Sequence, residues 1–195
     1  MMPESNQDKV ILHLCADTGS DSLPYREAGY DVRCIGSKIG IENFNPPANV
    51  YGIIANPPCT MFSMARVTNI PPRDLREGMR LVKECLRVIW ECQYQIELNQ
   101  RHSPLAFWAL ENPASGFLKW FLGNPTFQYC QSEYGAPITK KTALWGMFNL
   151  PKRPLLYSAL PAGRTIGSKY EKVTGMEKRS QCPIDFAKCF FEANP

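Results

Sequence analysis

Short apolar runs alternate with polar turns along much of the chain. Val10 to Cys15 is the first run and Asp31 to Ile35 the second. Each has the length of a buried strand rather than of a helix. Between them Ala16 to Ser22 is a polar turn, and Ser22 stands where it would cap a short helix to about Ala28, with Pro24 in its first turn. A strand, turn, helix and strand in this order open a doubly wound sheet. A third run, from Val50, stops at Pro57-Pro58, because proline cannot continue a sheet ladder. Residues 36–49 read as an irregular connection with room for one short strand.

The next periodicity is helical. Leu75, Met79, Val82, Leu86, Ile89 and Ile96 recur at three- and four-residue steps, with Gln93 the gap. They predict a helix over Asp74 to Arg101, packed on the sheet. Leu105, Phe107, Trp108 and Leu110 then give a fourth strand. Ala114 to Gly123 reads as a short apolar helix ending at glycine. Thr126 to Gln131 and Lys140 to Phe148 read as strands on either side of a turn at Tyr134 to Pro137. Ile184 to Ala193 closes as a helix that packs through Phe186, Phe190 and Phe191. The fold expected is α/β: a mostly parallel sheet with an antiparallel edge hairpin and helices on both faces.

Two strands end in chemistry. The third runs into Asn56-Pro57-Pro58-Cys59, the fourth into Glu111-Asn112-Pro113. Ligands bind beyond the carboxyl ends of strands in open α/β sheets. A cysteine alone is more often a small buried hydrophobe than a nucleophile. If the two strands are neighbours, however, a thiol and a carboxyl meet in one cleft, and that is a catalytic arrangement.

Composition narrows the class. The 195 residues suit one domain, with 44% hydrophobic and 21% charged residues. No apolar run reaches the length of a membrane span, and the amino end has no signal-peptide core. The eight cysteines form no Cys-x-x-Cys pair and only two histidines accompany them. That argues against a zinc site and for a reduced, cytoplasmic setting. Net charge is +4, but residues 138–195 hold ten Lys/Arg against four Asp/Glu. This basic carboxyl-terminal portion of a single catalytic domain (1–195) could contact phosphates.

At these residues the chain resembles the DNA cytosine-5 methyltransferase family. Pro57-Pro58-Cys59 with Phe62-Ser63 matches its Pro-Cys loop, and Glu111-Asn112-Pro113 its Glu-Asn loop. Tyr134-Gly135-Ala136-Pro137 matches its Tyr-Gly-x-Pro turn. Leu12 to Gly19 and Ala28-Gly29-Tyr30 match the front end in part. The resemblance implies a Rossmann-like class I methyltransferase sheet and S-adenosylmethionine as methyl donor. It implies Cys59 as nucleophile on cytosine C6 and Glu111 as its partner at N3. Cofactor contacts would fall to Cys15, Asp17, Thr18, Gly19, Ser20, Asn56 and Pro57. Cys15 replaces the aromatic that packs on adenine, and Asp17 the first glycine of the turn. The ribose-binding acid after the second strand is missing. Gly36 stands near its place, and Glu42 is the substitute.

On the DNA side the resemblance points to Pro58, Ser63, Arg66, Asn112, Lys140 and Lys141. Arg66 and Arg73 flank a loop that in the family closes over DNA. Lys140 either takes the place of the arginine that binds the pyrimidine O2 or contacts phosphate only. About thirty residues stand where a target-recognition domain is usual, so readout would be confined to a base or two, or supplied by a partner protein.

Three alternatives remain open. Asn56-Pro57-Pro58 is also close to the signature of amino-methyltransferases acting on adenine N6 or cytosine N4. The same Cys/Glu chemistry could use another one-carbon donor or a free nucleotide. Third is a non-catalytic DNA-binding relative.

Overall fold

The computed structural model describes residues 5–16, 18–64, 66, 71–94, 105–136, 138–153 and 181–195. Six strands form one mixed sheet: β1 (Val10–Leu14), β2 (Asp31–Ile35), β3 (Val50–Ala55), β4 (Phe107–Pro113), β5 (Phe127–Cys130) and β6 (Lys141–Met147). Their order is β2-β1-β3-β4-β6-β5. β2, β1, β3 and β4 pair in parallel, and β6 runs antiparallel to both β4 and β5. The reversed strand is thus inserted between β4 and β5 rather than lying at the rim.

Alternation along the strands sends side chains into two cores. Val10, Leu12, Leu14, Ile53, Ala55 and Leu110 face one side, covered by helix α2 (Leu75–Tyr94) through Val82, Cys85, Val88 and Ile89. Leu86, expected on the buried stripe, is only partly buried, while Cys85 and Val88 lie on it. Ile11, Ile54, Phe107, Ala109 and Leu144 face the other side. Tyr25 of α1 (Leu23–Glu27) and Phe186 and Phe190 of α4 (Ile184–Ala193) cover that side. Phe186 stacks on Tyr129 with ring centroids 3.9 Å apart, so the last helix is seated on the β5 edge.

Local chemistry sets the ends. Asp74 caps α2, its Oδ1 accepting from the backbone N–H of Arg76 and of Glu77 at 2.8 and 3.2 Å. Residues 95–104, the expected end of this helix, lie outside the described residues. Ser22 precedes α1 but caps nothing, because its hydroxyl is drawn inward to His13. The connection at 36–49 forms turns and no strand. The apolar stretch after β4 is helical only at α3 (Lys119–Leu122), preceded by turns. Tyr134 closes a 3₁₀ turn, Gln131–Tyr134, rather than opening a turn of its own.

Glycine inside α2 costs about 1 kcal/mol against alanine in an exposed helix. Gly78 has a packing reason: a Cβ there would lie 2.8 Å from Met61 Cβ and 3.0 Å from Phe62 Cζ. The loop after Cys59 therefore rests directly on the helix backbone. No helix among the described residues is long and apolar enough to cross a membrane.

Candidate active site

β3 and β4 are hydrogen-bonded neighbours, with Ala55 opposite Leu110. The two proline turns therefore leave the sheet side by side. Asn112, fully buried, donates from Nδ2 to the Pro57 carbonyl at 3.0 Å and joins them. The Cys59 turn is tight: its carbonyl accepts from the N–H of Phe62 at 2.9 Å and of Ser63 at 2.8 Å. The Phe62 side chain is fully buried as the anchor of the loop. Its carbonyl accepts from Phe117 N at 3.0 Å, fastening the loop to the segment after Glu111. Cys59 itself is half-buried and belongs to neither apolar core.

The two arginines expected beside DNA order this loop from within. Arg73 donates to the carbonyls of Met61 and Ser63 and lies over the Phe117 ring. Arg66 reaches the Met61 sulfur and the Pro71 carbonyl. Pro58 is exposed and Ser63 partly so, at the lip of the turn.

Glu111 lies on the α1/α4 side of the sheet, facing a narrow cavity of about 20 Å³ lined also by Asp21, Ile54, Leu144 and Cys182. Burial pushes its carboxyl above the usual range. Lys140 works against that shift and Asp21 adds to it. Lys140 Nζ sits 3.2 Å from Glu111 Oε1, and the two side chains keep 23% and 15% exposure. Burial disfavours the Lys140 ammonium, but Glu111, Cys59 and Asp21 together outweigh it and hold its pKa above the ordinary value. One cation thus answers to the thiol and to both carboxylates. Lys140 arrives here because β6 runs backwards, which brings its leading end to the edge where β3 and β4 finish. Lys141 is exposed at the start of β6, and its carbonyl accepts from Ala114 N.

This pair makes a prediction. Lys140→Met leaves a buried carboxylate without its cation, and a loss of about 2 kcal/mol is expected at pH 8. Glu111 has a folded-state pKa above its unfolded value. Its own linkage contribution is therefore present at low pH and is lost as pH rises through the folded value. The penalty in the variant should shrink accordingly as the pH falls and Glu111 takes up a proton. Urea denaturation of both proteins at pH 5 and pH 8 measures this; an equal loss at both would contradict the pairing.

The front turn is built on strained backbone. Cys15 has φ 56°, and among the described residues it is the non-glycine with positive φ; Gly19 follows at 68°. Cys15 Sγ lies 3.7 Å from Cys85 Sγ of α2. Thr18 Oγ1 and Ser20 Oγ approach within 3.4 Å, and Ser20 Oγ also accepts from Cys182 N. Asn56 N donates to Leu14 O, so β3 exits against this turn, with Pro57 buried beside it. Asp17 lies outside the described residues. Glu42 pairs with Arg80 of α2 on the surface. Thr18, the Gly19 turn and Ser20, whose hydroxyl donates to Asp21, are the groups here that could hold a cofactor's polar end. Glu42, expected as the acid for a cofactor ribose, is turned to Arg80.

Sequence reasoning missed a buried polar group beneath this edge. His13, 1% exposed, stands in an otherwise apolar strand. Ser22 Oγ donates to the Gly19 carbonyl at 3.2 Å, so it accepts from His13 Nδ1–H at 2.9 Å; the tautomer is assigned from this network. Nε2 then faces Asp21 Oδ2 at 3.8 Å. Burial lowers the His13 pKa, and Asp21 opposes that shift. Asp21 Oδ2 also accepts from Asn56 Nδ2 at 3.2 Å. A histidine amid β1's aliphatic residues was the available signal, since a buried polar group requires partners. Cys182, from the far end of the chain, gave none. Its thiol is held protonated by burial and by the nearby Asp21 and Glu111.

Among the described residues no group of three or more His, Cys, Asp or Glu side chains is placed to hold a metal. A scan against protein-family models gives no match for this chain, and neither does a comparison with the curated proteins.

Proposed function

We propose that the protein is a DNA cytosine-5 methyltransferase of short form, built on a class I methyltransferase sheet. The observation that carries this reading is the convergence of Cys59, Glu111 and Lys140 at one sheet edge, with Lys140 bonded to the acid and responding to the thiol. Cytosine C5 is too weak a nucleophile to take a methyl group unaided. A thiolate adding to C6 turns the ring into an enamine. The Lys140 ammonium stabilises charge on Cys59 before attack. Glu111, whose carboxyl burial pushes above the usual range, hydrogen-bonds N3 or donates a proton there as charge builds. S-adenosylmethionine, when bound, supplies the electrophilic methyl. Thr18, Gly19 and Ser20 would hold its amino-acid end, and Glu42 its ribose once released from Arg80. In duplex DNA the base must leave the stack to reach this edge, and the exposed Lys141 and the basic residues of 138–195 favour contact with phosphates.

The amino-methyltransferase alternative uses Asn56 to grip an exocyclic amine. Asn56 Nδ2 donates to Asp21, but that scheme has no task for Glu111 or Lys140. Mass spectrometry of nucleosides from cells expressing the protein tests the proposal, and 5-methylcytosine is the expected product. Methylated adenine or N4-methylcytosine would replace this reading by the alternative, and an unmodified nucleoside pool would remove it.

A further inference from the structure

We propose that Asp21 is the base that takes the C5 proton in the last step, held in position by His13 and Asn56. The inference rests on the methyl-transfer reading above and adds a residue to it.

The geometry comes first. Asp21 lines the same narrow cavity as Glu111. It reaches the thiol's own turn through Asn56, three residues before Cys59, whose Nδ2 donates to Asp21 Oδ2 at 3.2 Å. Ser20 Oγ donates to the same oxygen at 3.3 Å, and His13 Nε2 lies 3.8 Å from it. These contacts gather on Oδ2, and the Cys182 thiol is hydrogen-bonded to the same carboxylate. The other groups at the cavity are committed. Glu111 is bonded to Lys140 and has its work at N3. Cys182 and Tyr129 are held protonated, chiefly by burial, and Lys140 is a cation. His13 is buried behind Asp21.

The fit extends to the proton's next place. The His13 side chain hydrogen-bonds that of Asn56, and both lie against Asp21 Oδ2. A proton arriving on Asp21 can be shared with Nε2.

The step balances. The C5–H bond breaks, and its electron pair becomes the C5–C6 double bond. The C6–S bond breaks and Cys59 leaves as a thiolate. The proton passes to Asp21, is shared with His13, and leaves to water from Asp21, whose side chain keeps 14% exposure.

The test compares Asp21→Asn with wild type on two DNAs. With 5-fluorocytosine DNA and S-adenosylmethionine, fluorine occupies the place of the departing proton, so both proteins should form the covalent adduct at the same rate. With ordinary cytosine DNA, wild type should turn over. The variant should accumulate a denaturation-resistant adduct that already carries the new methyl group, with turnover down at least about 100-fold. His13→Gln should trap 5-fluorocytosine normally and show a smaller accumulation on ordinary DNA; a purely structural lesion would slow both. Turnover by Asp21→Asn within about threefold of wild type overturns the assignment, and so does a variant that fails to trap 5-fluorocytosine. If wild type itself traps nothing, the methyltransferase reading falls and this inference falls with it.

Discussion

Cys59→Ser should form no covalent adduct with DNA containing 5-fluorocytosine, under conditions where wild type forms one that survives denaturation. A thiol is the side chain that ionises most readily to a strong nucleophile, whereas a serine hydroxyl needs an adjacent base. Glu111 and Lys140 are not suited to be that base, the one raised toward its neutral form and the other held as a cation. A loss of at least about 1,000-fold in methyl transfer is expected, equal to about 4 kcal/mol. The substitution removes little packing, because Cys59 sits outside both apolar cores. Denaturation midpoints should therefore agree closely between variant and wild type. Residual transfer above about a tenth of wild type in Cys59→Ser would contradict nucleophilic addition.

Glu111→Gln should lower methyl transfer by about 100- to 10,000-fold, the range over which a positioned acid or base acts. Glutamine keeps the shape and a carbonyl for Lys140, but it has no proton to give at N3. Its effect should also change the pH dependence. In wild type, burial raises the Glu111 carboxyl, so the protonated fraction reaches to higher pH than for an exposed glutamate and declines above that. A rate limb set by this group should fall with rising pH and should be absent from the variant. Single-turnover rates from pH 5 to pH 9 on one DNA duplex measure both. A variant whose limb is unchanged would assign the titration to another group.

Much of this arrangement was legible in the chain. Short apolar runs located the strands, and the paired proline turns after Ala55 and Leu110 pointed to adjacent parallel strands, as the register shows. The positions of α2 and α4 followed from helical spacing. What escaped has a common physical origin: it depends on residues brought together across the sheet. The turn between β1 and α1 showed its polarity, but not that Ser22 would serve His13 instead of a helix end. Arg66 and Arg73 flank a loop expected to close over DNA, with Arg66 expected on the DNA side, whereas loop carbonyls and the Met61 sulfur occupy them. Glu42 looked available until Arg80, 38 residues on, took it. Charge and type can be read locally, while the identity of a partner cannot.

The reversed β6 also bears on how this molecule can diversify. Three of the groups at the working edge are rooted in the parallel strands or the turns joined to them, so lengthening any of those connections would shift the reaction centre itself. Lys140 alone comes from the segment between β5 and β6, which is exposed to solvent at Gly135 and Thr139. Extra residues grafted at its outer tip would add new surface beside the slot while the thiol and acid kept their footing. A lineage acquiring finer target discrimination has its natural point of growth there.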